Sequence, residues 1–142
     1  MSVRDFEDIK LVDVIAAQVT RPPNDGTEGS GLYSVPIRLS AAAPSAWARY
    51  FVEAWDHPSR FSTMHRPGIA RVSGHIVTLA GTTLEEVDKY HRDTLKLAAD
   101  EANRQYREML ERDAAQEARE QEIADQHRAH VDEVAKRISF DE

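Results

Sequence analysis

Residues 57 to 83 contain three arginines, Arg60, Arg66 and Arg71, and no carboxylate at all. The same stretch holds three of the six histidines, His57, His65 and His75, with Phe61 and Met64 among them. Guanidinium forks grip phosphate or carboxylate oxygens in pairs, and a neighbouring ring can stack on a base. Arg60, Phe61, His65, Arg66 and Arg71 are therefore the candidate ligand- or partner-binding set. The preferred alternative is that these arginines pair with the acidic residues of the C-terminal helix of the same or a neighbouring chain. Three cations are too few to dominate a duplex interface.

Other spacings carry weaker chemistry. His127 and His130 are three apart on a predicted helix, and Asp125 or Glu133 could join them on a metal, but zinc needs three or four converging ligands. Solvated positions explain them better, and no metal site is assigned. His91 and Asp88 share the same spacing nearer the core, which predicts a partly buried histidine with a local acceptor. Gly26, Gly29 and Gly31 form a glycine-rich loop, yet no Lys-Ser/Thr follows and the loop leads into a strand, so it does not match a phosphate-binding loop. There is no Gly-x-Ser-x-Gly elbow, no His-Glu-x-x-His and no EF-hand loop. Asp13 and Glu53 are the only carboxylates flanked by apolar residues, and neither has a visible partner. The chain has no cysteine, which excludes disulfides, thiolate metal sites and cysteine nucleophiles. No catalytic residue and no cofactor is expected.

All six glycines and six prolines fall between Pro22 and Gly81. They divide the chain into a punctuated front half and a C-terminal part with nothing to stop a helix. In the front half, Leu11, Val12, Val14, Ile15, Val19 and Thr20 are rich in β-branched types and predict a strand over 11–20, with a short helix using Ile9, Val12, Ala16 and Val19 as the rival reading. Tyr33, Val35, Ile37 and Leu39 alternate with polar residues and predict a second strand, which Pro36 should confine to an edge or furnish with a bulge. Trp47, Tyr50, Phe51, Ala54 and Trp55 form one helical stripe ending before Pro58, and its aromatic rings are expected to cover the sheet rather than line a pocket. Ile69 to Val72 and His75 to Ala80 read as a hairpin turning at Ser73-Gly74. Thr83 and Glu86 have capping-box spacing and start the last helix. The order is ββαββα, an α+β fold with a four-stranded antiparallel sheet, helices on one face and a long C-terminal helix. The halves show no sequence self-similarity that would make them a repeat.

From Leu84, the positions Val87, His91, Leu95, Ala98, Ala102, Tyr106, Met109 and Leu110 recur at helical period and should pack on the sheet. Beyond them Glu111 to Glu122 offers only alanine as apolar content, and Ile123, Val131, Val134 and Ile138 restore a weak stripe. The predicted domains are a compact core, 1–110, and a helical extension, 111–142. An unbroken helix from Thr83 to Arg137 is on the order of 80 Å long, against a radius of gyration of roughly 12 Å for a core of about ninety residues. Isolated helices are marginal in water, so the distal half needs a partner. A second copy of the chain, paired as a coiled coil, is the simplest one, with Met109, Leu110, Ile123, Val131, Val134 and Ile138 as the oligomerisation set; a frayed tail and a hairpin turning near Asp113 are the alternatives.

The 142 residues are about one domain, and the net charge of −7 argues against general nucleic-acid affinity. Charged residues interrupt the first twenty positions, and no later run approaches the roughly 18 apolar residues of a membrane span. The expectation is a cytoplasmic, non-enzymatic interaction or scaffold protein that forms a homo-oligomer and meets a protein partner. The alternative is a nucleic-acid or phosphate-ligand binding module using the basic segment 57–75.

Overall fold

The computed structural model describes residues 2–62 and 64–141. Four strands, β1 (Leu11–Val14), β2 (Tyr33–Leu39), β3 (Ala70–Ser73) and β4 (Ile76–Thr82), form one antiparallel sheet in the order β1-β2-β4-β3. Helix α1 (Ser45–Asp56) separates β2 from β3 in the chain. After β4 comes one uninterrupted helical run: α2 (Leu84–Glu86), a π-helical turn (Val87–His91) and α3 (Arg92–Arg137). The strand and helix order is the ββαββα arrangement expected from the sequence, with helices on one face and a long C-terminal helix. By contacts the chain divides into a unit spanning Glu7–Arg107, which holds the sheet and α1, and a second unit that contains Phe6 and the helix from Glu108 onward.

Alternation along the strands sets which face is covered. Val35, Ile37 and Leu39 of β2 and Val77 and Leu79 of β4 are buried, while Arg38 is exposed and Thr78 half-exposed. Against that apolar face lie Trp47, Phe51 and Trp55, one turn apart on α1 and each completely buried. Trp47 and Phe51 stack at 5.3 Å between ring centroids, a pairing that contributes about 0.5–1.5 kcal/mol beyond the area it hides. Of the helical stripe predicted after Leu84, Val87, His91, Leu95, Ala98, Ala102 and Tyr106 are buried in the unit that holds the sheet, and in the second unit Leu110 is buried and Met109 half-buried.

The predicted strand over 11–20 stops early, and Pro36 is the reason. Ile15 donates its N–H to the Pro36 carbonyl at 2.9 Å, but proline has no N–H to return, so the reciprocal pair of an antiparallel ladder cannot form. The chain turns there into a 3₁₀ segment, Ala16–Gln18. Pairing resumes at Thr20, whose N–H donates to the Ser34 carbonyl at 3.2 Å and whose Oγ1 accepts from the Ser34 N–H at 2.8 Å. The expectation that Pro36 marks an edge strand is thereby corrected. β2 lies between β1 and β4, and its proline is tolerated because the missing donor faces the point where β1 has ended. The register shift in the β2–β4 pair falls at Tyr33/Ser34, not at Pro36.

The hairpin is formed, but its turn falls at Gly74-His75, one residue later than expected, with Gly74 at φ +58°. Thr83 Oγ1 accepts the Glu86 N–H at 3.1 Å and opens the helical run. The Glu86 carboxylate does not complete the capping box and is used elsewhere. α3 runs 46 residues through Asp113 without a turn, about 69 Å at 1.5 Å per residue, which excludes the hairpin alternative.

Candidate functional site

The loop between α1 and β3 is fastened to the helices by backbone and charge together. Trp55 donates its indole N–H to the Arg66 carbonyl at 3.0 Å, and Asp56 accepts the Gly68 N–H at 2.7 Å. The Arg66 guanidinium makes two parallel bonds to the Glu86 carboxylate, at 2.5 and 2.8 Å. Thr82 adds its hydroxyl to Glu86 at 3.1 Å. Glu86 can reach Arg66 because Thr83 has fixed the first helical turn. The bonds from Arg66 hold the Glu86 carboxyl below the usual carboxylate range, and the same bonds raise Arg66 above its already high value.

Behind this pair sit two histidines. His91 closes the π-helical turn and is completely buried. Its ring meets Trp55 edge-on at 5.3 Å, and His65 packs on the same indole at 4.7 Å. None of the four ring nitrogens has a hydrogen-bond partner among the described residues. Burial pushes both histidines below their ordinary value. For His65 the backbone of Trp55 and the charge of Asp56 pull the other way; for His91 the Glu86 charge does so. The local acceptor expected for His91 is not Asp88, which lies 3.5 Å from Arg92 instead. The π-helical turn, closed by the Arg92 N–H to the Val87 carbonyl, changes the i,i+3 relation an α-helix would have given. Such turns recur at functional sites.

The five candidate binding residues are thus placed in three environments. His65 and Arg66 are half-buried in the packed cluster. Arg60 and Phe61 are exposed and line a cavity of about 500 Å³ with residues 89–97 of the helical run. Arg71 is exposed on β3. The predicted pairing of arginines with acidic residues of the C-terminal helix describes Arg66; Arg60 and Arg71 make no ion pair among the described residues.

A larger groove, about 620 Å³, runs between β1 and the helical run. Ile9, Val12, Val14, Leu84, Val87 and Leu95 give it an apolar lining. Lys10, Arg92 and Lys96 on its rim are balanced by Asp13, Asp88 and Asp100, so the groove selects for neither sign of charge. Among the described residues no group of three or more His, Asp or Glu side chains is arranged to hold a metal ion.

The oligomerisation set is divided as well. Leu110 is buried and Met109 half-buried, whereas Ile123 and Ile138 are 65% and 59% exposed and Val131 is 37% exposed. Val134 is half-buried. Every residue from Glu111 to Glu133 is exposed, His127 and His130 included.

Asn103 is the structural residue that periodicity does not reveal. It is buried, accepts both the Ile9 N–H at 2.9 Å and the Trp47 indole N–H at 2.8 Å, and donates to the Ile9 carbonyl at 2.9 Å. It sits one position after Ala102 of the predicted stripe, and no spacing in the sequence marks it as buried. Comparison of the chain with protein-family models, with curated proteins and with solved structures finds no match. No helix among the described residues is long and apolar enough to cross a membrane.

Proposed function

We propose that the protein is a non-enzymatic interaction or scaffold protein that self-associates through the distal part of α3. The observation that carries this reading is the exposure of every residue from Glu111 to Glu133 within one continuous helix. A helix with no buried face draws little from packing, and propensity with i,i+4 pairs adds only a few tenths of a kcal/mol at a time. Side-chain bonds such as Gln121 to Asp125, at 2.9 Å, belong to that weak class. A second copy supplies the missing surface, with Ile123, Val131 and Ile138 as the apolar contacts it covers.

The test is sedimentation equilibrium of the full chain beside Ile123→Glu/Val131→Glu. The intact chain is expected to have a mass of at least two protomers and the double variant a mass of one, with helical circular dichroism reduced by the share beyond Leu110. The conservative Ile123→Leu variant keeps the assembly. An unchanged mass in the charged variant contradicts the reading.

A further inference from the structure

The geometry points to the cavity between the α1–β3 loop and the start of α3 as a binding site for a small aromatic phosphate. This inference stands independently of self-association. Three cations, Arg60, Lys89 and Lys96, line the cavity, and Asp93 is its single carboxylate. None of these four makes an ion pair among the described residues. Lys96 also borders the groove beside β1, so the surplus is one to two positive charges, which matches a phosphate monoester carrying between one and two negative charges near neutral pH.

The apolar half of the ligand follows from the rings. Phe61 lines the cavity and is 65% exposed, whereas Trp47, Phe51 and Trp55 are completely buried. Phe61 meets His65 edge-on at 5.2 Å, so one side of the ring is packed and the rest of its surface is open to stacking. The Tyr90 ring is already occupied by the Lys89 ammonium, 5.3 Å from its centroid. Ser62 also lines the cavity, and its hydroxyl oxygen is buried without a partner among the described residues. The volume, about 500 Å³, lies in the range of small-molecule sites, roughly 300–1,000 Å³.

The experiment is an amide NMR titration of the full chain with phenyl phosphate, and in parallel with inorganic phosphate, phenol and a single-stranded oligothymidylate. Phenyl phosphate is expected to saturate, moving the resonances of Phe61, Ser62 and residues 89–97, with affinity about tenfold above that of either half. Arg60→Gln/Lys96→Gln weakens it by about tenfold or more, and Arg71→Gln, outside the cavity, leaves it unchanged. The same spectra report that each variant is folded. Absence of saturation in the millimolar range overturns the site, as do shifts scattered over the arginines of distal α3 or an equal loss in the Arg71 variant. Tighter binding of the oligonucleotide than of phenyl phosphate overturns the small-ligand assignment.

Discussion

His91 is a completely buried base with both ring nitrogens unpartnered, so it resists protonation in the folded chain. Above the ordinary histidine value of 6.5, folded and unfolded forms are both neutral and this residue adds no pH dependence. Below it the unfolded chain takes up protons that folded His91 and His65 refuse, so stability falls as the pH falls towards their lowered values. Urea unfolding between pH 7 and 5 is expected to show this decline, and His91→Leu should flatten it. An unchanged slope in that variant would remove His91 from the account. Glu86 acts in a lower window. Its carboxylate is held ionised by Arg66, so its contribution is present above the ordinary value of 4.5 and is lost as the pH falls through the lowered folded value. Arg66→Ala breaks both parallel bonds and leaves Glu86 with Thr82 alone. The pair retains partial exposure, 29% and 13%, so solvent screens part of the loss and about 2 kcal/mol is expected in chemical denaturation.

At the scale of elements, Asn103 ties the segment before β1, α1 and α3 together through three bonds. Asn103→Leu removes all three and strands the Ile9 N–H and carbonyl and the Trp47 indole in an apolar interior. A loss of about 3 kcal/mol is expected in thermal or urea unfolding; a change below half a kcal/mol would mean that water replaces the amide. The elements legible in the sequence are those fixed by local rules: the α1 stripe from Trp47 to Trp55, the turn at Gly74 and the cap at Thr83. Those that were not legible depend on partners far along the chain. β1 ends early because its ladder partner is Pro36, 21 positions away from Ile15 by the paired numbers. That Arg66 pairs with the C-terminal helix is the preferred reading of the sequence, but which of the three arginines does so, and that Glu86, 20 residues on, is its partner, is not legible there. The π-helical turn has no periodic signature in five residues, and it is what carries His91 against Trp55 rather than beside Asp88.

For the molecule as a whole, the sheet with α1 and the proximal helix explains its own stability, because apolar faces on both layers are covered. The helix beyond Leu110 does not, since it keeps its helical form with every side chain from Glu111 to Glu133 open to solvent. On the proposed assembly, hydrophobic burial between copies supplies what the sequence 111–122, with alanine as its only apolar type, cannot supply alone. It also implies that helicity and association are linked by mass action. The most direct test follows both on one dilution series of the intact chain, with mass read by sedimentation and helix content by circular dichroism. The account predicts a mass of two or more protomers at high concentration, and on dilution a fall to one protomer accompanied by loss of distal helix signal. A single-protomer mass at every concentration, with the helix signal undiminished, would contradict it.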